Sequence, residues 1–254
     1  MKLHSNIIGE GKPFIILHGF LGTGDNWKTL AKKYSELGFQ VHLVDQRNHG
    51  RSPHSDDFSY DHMSNDLLEY CNENQLTDII LLGHSMGGKT AMDFACKNHK
   101  LVKKLLIADI APKYYAPHHQ TILKSLAALD FSTISSRNDA DLTLKEYINE
   151  PGIRMFLLKN LYRESKNTFG LRNNLKILTE KVNEIGQALT NGYSYDKPTL
   201  FLRGDSSDYI LDTDISLINS HFKNNTLKTV TNASHWLHAE NPSEFFEYSS
   251  DFII

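Results

Sequence analysis

The 254-residue chain carries 27 basic and 30 acidic residues, a formal charge of -3, and no Lys/Arg block of the kind that tracks a phosphate backbone, which sets nucleic acid aside as a partner. Its length exceeds the usual domain mode of about 100–150 residues, yet α/β folds run to about 250 as one unit, so one domain with an insertion is expected. Cys71 and Cys96 show neither Cys-x-x-Cys nor metal-type spacing, Met1 to Lys12 has no signal-type apolar run, and later apolar runs are strand-sized; reduced thiols, no membrane span and a cytoplasmic location are expected.

From residue 13 to 110, short apolar runs alternate with longer segments of helical period, the pattern of βαβ units on a parallel sheet. Met1 to Gly9 fits an antiparallel edge strand or hairpin. Phe14-Ile15-Ile16-Leu17, Val41-His42-Leu43-Val44, Ile79-Ile80-Leu81-Leu82 and Leu105-Leu106-Ile107-Ala108 read as strands. Between them Asn26–Leu37, Ser59–Asn74 and Gly88–His99 read as helices, with Ser59 or Asp61 at an N-cap and Gly38 just past a helix end.

Pro112 breaks the rhythm. To about Tyr195 the chain is helical without strong strands: Gln120–Leu129, Thr143–Asn149, Ile153–Leu161 and Leu171–Leu189. Strands resume at Pro198–Leu202 and Leu227–Val230, and a helix from about Pro242 to Phe252 closes the chain. The expected organisation is a core of residues 1–111 and 196–254 with a helical cap, 112–195, inserted after the strand that ends at Asp109.

The segment Gly83-His84-Ser85-Met86-Gly87-Gly88-Lys89-Thr90 satisfies two mechanistic patterns at once. As Gly-x-Ser-x-Gly it is a sharp strand-to-helix turn that holds a serine hydroxyl out above the sheet. As Gly-x4-Gly-Lys-Thr it is a phosphate-binding loop, with Lys89 on phosphate and Thr90 on Mg²⁺. Both need a strand before and a helix after, so local context does not separate them. Distant features do. His18-Gly19-Phe20 follows an early strand, where a hydrolase builds its oxyanion hole, and Ala233-Ser234-His235-Trp236 follows the last strand, where its histidine belongs. A phosphate loop explains neither, and Lys89 becomes an ordinary residue of the helix.

His18-Gly19-Phe20-Leu21-Gly22, Asp45 to Ser52, Gly83 to Lys89, Asp109-Ile110-Ala111-Pro112, Phe156 to Leu161 and His235-Trp236-Leu237-His238-Ala239 together resemble the YbfF/ABHD11 esterase group of α/β-hydrolases over nearly the whole chain. The resemblance implies the α/β-hydrolase fold, with a mostly parallel central sheet under a helical cap, and hydrolysis of short- to medium-chain acyl esters or thioesters without a cofactor.

Ser85 is then the nucleophile, His235 (one of 13 histidines) its base, and the backbone N–H groups of Phe20 and Met86 the oxyanion donors. The acid has two candidates. Asp208 follows the strand after the cap, where this fold most often places it; Asp109 ends the strand after the nucleophile helix, the position that the resemblance favours. Asp205 reads as a turn residue, His238 as structural, Arg47 and His49 as loop braces, and His118 and His119 as part of a solvated cap face. No His-Glu-x-x-His occurs, and no metal is expected. The alternatives are a nucleotide-binding protein using Gly83 to Thr90, or a lyase or C–C hydrolase on the same triad. Oligomeric state is not legible.

Overall fold

In the computed structural model, which describes residues 1–165 and 168–254, the strands are β1 (Ser5–Ile8), β2 (Lys12–Leu17), β3 (Phe39–Val44), β4 (Ile79–His84), β5 (Val102–Ala108), β6 (Leu161–Arg163), β7 (Phe169–Leu171), β8 (Thr199–Gly204) and β9 (Asn225–Val230). Seven of them form one sheet in the order β1-β3-β2-β4-β5-β8-β9. Only the β1–β3 pairing in that sheet is antiparallel, which makes the first strand an edge strand, as its sequence allows.

The apolar runs are continuous because the sheet is covered on both faces, with alternate residues going to opposite sides. Ile15, Leu17, Leu81, Leu105 and Ile107 enter one apolar layer, and Phe14, Ile16, Ile80, Leu82, Leu106 and Ala108 enter the other. The helices are α1 (Lys28–Glu36), α2 (Tyr60–Glu73), α3 (Met86–Lys97), α4 (Gln120–Ala127), α5 (Arg137–Lys145), α6 (Pro151–Leu158), α7 (Leu175–Glu180), α8 (Ile215–His221), α9 (Leu237–Glu240) and α10 (Pro242–Ile253). Residues of α2 and α3 pack on the first layer, those of α1 and α10 on the second. Ser59, not Asp61, caps α2, accepting from the His62 amide. No helix among the described residues is long and apolar enough to cross a membrane.

A third apolar cluster lies over the C-terminal ends of the strands, where Phe20, Phe58 and Met86 meet Leu123, Leu144, Leu157 and Leu178 of the inserted segment. This segment differs from its sequence reading in three places. Leu161–Arg163 and Phe169–Leu171 pair as a small antiparallel hairpin, each strand too short for alternation to register. The helix expected over 143–149 starts earlier, at Arg137, because Ser136 Oγ accepts from the Asp139 amide and Asp139 Oδ2 accepts from the Ser136 amide. The long helix expected over 171–189 is only α7 and a 3₁₀ turn, Val182–Gly186. Its far end bonds across to the entry of the insertion, Tyr115 N–H to Gly186 C=O at 2.8 Å and Leu189 N–H to Pro112 C=O at 2.9 Å, and these tertiary bonds override helical period.

Candidate active site

Ser85 stands between β4 and α3 with φ 54° and ψ -119°, a conformation that costs a non-glycine residue of order 1–3 kcal/mol and persists only where its surroundings enforce it. The enforcement is visible. The Ser85 amide donates to the Ala108 carbonyl at 3.0 Å, and α3 crowds so close to β2 that a Cβ on Gly87 would lie 2.5 Å from the Leu17 oxygen. The loop after β2 is equally close, since a Cβ on Gly19 would lie 2.8 Å from His84 Nδ1 and 3.3 Å from Ser85 Cβ. Phe20, Ser85 and Met86 consequently line one space, and Met86, as the first residue of α3, has an amide with no acceptor within its own helix.

His235, in the loop after β9, joins two partners. Its Nε2 lies 2.9 Å from Ser85 Oγ and its Nδ1 2.8 Å from Asp109 Oδ2. The aspartate accepts at Nδ1, so that nitrogen carries the proton and Nε2 is left to accept from the serine hydroxyl. Asp109 is fully buried and also accepts from the Gly204 amide at 3.2 Å and from the Ser207 hydroxyl. Of the two candidate acids, the structure brings Asp109 to the imidazole and leaves Asp208 exposed. Asp205 does more than turn the chain: it accepts from the Asn232 and Ala233 amides at 2.8 and 3.1 Å, bracing the loop that carries His235, and these bonds lower its pKa.

The other histidines are structural parts of the site. His18 Nε2 accepts from the Gln46 amide at 3.0 Å, so Nδ1 donates to Gly19 C=O at 2.8 Å and fixes the loop before Phe20; burial lowers its pKa to about 4. His84 Nε2 donates to His235 C=O at 2.8 Å, and desolvation holds it well below the ordinary histidine value. His238 stacks on Trp27 with centroids 4.1 Å apart. Arg47 braces through two bonds to Asp66, at 2.6 and 2.8 Å.

Further positions depart from their sequence reading or escape it. Lys89 is not an ordinary helix residue: it is 2% exposed, and its ammonium donates to the Lys113 and Gln187 carbonyls at 2.5 and 2.6 Å. Thr90 Oγ1 is turned to the Met86 carbonyl, so neither residue is spare for a phosphate. His119 does not sit on a solvated face; it lines the cavity beside Ser85 and packs on Phe20 at 5.0 Å, burial lowering its pKa to about 3. Ser207 and Tyr209, whose ring stacks on His235 at 3.7 Å, carried no motif, and only their place on either side of the candidate Asp208, in the loop after β8, pointed to them.

A serine, a histidine and a buried aspartate joined in one line, at the C-terminal ends of a mostly parallel sheet, define a hydrolase of the α/β type. The model of the alpha/beta hydrolase fold matches residues 12–242, and the chain belongs to that family. Among particular relatives, the sn-1-specific diacylglycerol lipase ABHD11 of Mus musculus is 37% identical over 246 residues, covering 94% of this chain and 80% of that protein. Esterase YbfF of Escherichia coli strain K12 is 29% identical over 234 residues, covering 92% and 89%. A solved structure described as a marine microorganism esterase superposes with a TM-score of 0.95 at 41% identity, covering 99% of each chain. The chain is accordingly a hydrolase of the esterase and lipase kind.

Proposed function

We propose that this hydrolase cleaves short- to medium-chain acyl esters or thioesters through an acyl-enzyme, with residues 1–111 and 196–254 as its core and 112–195 as the cap over its site. The reading is carried by one observation: the unbroken line from Ser85 Oγ through His235 to Asp109, at 2.9 and 2.8 Å. Ser85 attacks the acyl carbon while His235 Nε2 takes its proton, and Asp109 holds the imidazole in the required tautomer and balances the imidazolium. The Phe20 and Met86 amides receive the oxyanion. His235 then returns the proton to the leaving oxygen or sulfur, and water repeats the cycle to release the acid. The substrate is a small molecule, and no cofactor enters any step.

The test is treatment with a fluorophosphonate, peptide mapping, and turnover of p-nitrophenyl acyl esters. The expected result is a single adduct on Ser85 and hydrolysis that Ser85→Ala abolishes. An adduct elsewhere, or turnover that survives in Ser85→Ala, overturns the reading.

A further inference from the structure

Ser85 stands at the junction of two spaces of very different size. On one side lies a narrow chamber of ≈ 20 Å³, lined in part by Met86, Ile110, Tyr115 and Ile185. Toward the surface lies a cleft of ≈ 640 Å³, whose walls include the apolar side chains of Trp27, Ile153, Phe156 and Trp236, with Met155 63% exposed at its rim. A water-sized group needs roughly 10–15 Å³ on this scale, so the chamber holds about one or two heavy atoms.

An ester bound for attack has two arms. Its carbonyl oxygen faces the oxyanion amides, and the acyl and alkoxy arms leave the carbon in different directions. Which arm enters which space follows from the proton. When the tetrahedral intermediate collapses, the bond between the acyl carbon and the alkoxy oxygen breaks, its electron pair stays on that oxygen, and His235 Nε2 supplies the proton. The alkoxy oxygen must therefore lie on the His235 side of Ser85. His235 and the Trp236 that follows it line the cleft, and the chamber is walled without them.

We propose that the chamber is the acyl subsite and the cleft the alcohol subsite, so that the preferred substrates are acetyl to propionyl esters of bulky apolar alcohols, with Ile185 and Ile110 setting the acyl limit. This rests on the acyl-enzyme reading and narrows it. The stoichiometry needs only water: the ester acylates Ser85 and releases the alcohol, and water then releases the short acid and restores the hydroxyl.

Two ester series on the whole protein test the assignment. With a p-nitrophenyl leaving group, kcat/KM is expected to fall about tenfold or more between propionyl and hexanoyl, because even one surplus methylene in a hydrophobic pocket that it does not fit costs roughly that much. With the acyl group fixed as acetyl, kcat/KM is expected to rise at least tenfold from methyl to phenethyl or octyl acetate, through KM. Ile185→Ala should raise the butyryl-to-acetyl ratio of kcat/KM at least fivefold. If that variant does not fold, Ile185→Phe, which fills the chamber, should lower the propionyl-to-acetyl ratio. A kcat/KM that climbs from acetyl to octanoyl, with all acetates cleaved equally, overturns the assignment and leaves the serine hydrolase intact. Absence of any ester turnover together with absence of a Ser85 adduct instead overturns the reading beneath it.

Discussion

Asp109 accepts three hydrogen bonds, from His235 Nδ1, the Ser207 hydroxyl and the Gly204 amide, and is fully buried while doing so. A carboxylate so held is fixed in place before substrate arrives, and each donor removed leaves a buried charge less satisfied. Replacing the acid by its amide leaves the volume and disturbs the tautomer, so Asp109→Asn is expected to lower kcat about 10⁴-fold, while Asp208→Asn, on an exposed side chain, stays near wild type. The reverse order in measured turnover would return the role to Asp208. Ser207→Ala keeps the acid but removes one donor to a charged group, an interaction of about 1.5–3 kcal/mol, so kcat is expected to fall roughly 10- to 100-fold. Equal kcat in Ser207→Ala and wild type would mean that the hydroxyl is a bystander. The places of Ser85 and His235 were legible because a strand-to-helix turn and a post-strand histidine leave marks in sequence. Ser207 and Tyr209 were not, because a serine and a tyrosine in a loop bear no spacing that distinguishes a partner of the acid from a turn.

At the scale of elements, the inserted segment is tied to the core by bonds that sequence periodicity does not encode. Asn160, after α6, donates to the Leu21 carbonyl at 2.7 Å, and Lys89 of α3 grips the start and the end of the insertion through the Lys113 and Gln187 carbonyls. The sheet and the helices that flank it were readable, since continuous apolar runs and helical period report burial on both faces; the hairpin of β6 and β7 and the break after α7 follow from tertiary bonds and were not. Burial and the nearby Lys113 ammonium pull the Lys89 pKa from 10.5 down to about 7. In the unfolded chain Lys89 keeps its proton up to about 10.5, so between those values the unfolded state binds more protons, and the contribution of Lys89 to stability rises with pH across that window. Lys89→Met removes both the titration and the two bonds. The expected outcome is a difference in Tm, wild type minus variant, that grows between pH 6.5 and 9.5. A pH-independent difference would show that Lys89 titrates alike in both states.

At the scale of the whole molecule, the core holds an unusual load of neutral imidazoles. His18, His49, His84 and His238 are all depressed chiefly by desolvation, to about 4 for His18 and about 3 for His49 and His238, with His84 well below its ordinary value. Their bonding explains why a second proton is unwelcome. His18 Nε2 already accepts from an amide, and His49 Nε2 and His238 Nδ1 are buried without a partner. The unfolded chain takes up these protons as pH falls through 6.5, whereas the folded one resists until about 3 to 4. Each group therefore removes up to about 1.4 kcal/mol of stability for every unit of pH in that interval and contributes nothing above it. The carboxylates with lowered pKa, Asp205 and Glu244 among them, act in the same direction but only below their ordinary values of 3.8 and 4.5. The two sources separate by pH. The urea midpoint is expected to slip from pH 8 to 7 only by the Lys89 contribution, which Lys89→Met removes, and to fall steeply between 6.5 and 5, above the carboxylate range, with net proton uptake on unfolding in that range. A midpoint that stays level down to pH 5 would mean that these imidazoles are protonated in the folded protein, and that the tautomer assigned to His18 is wrong.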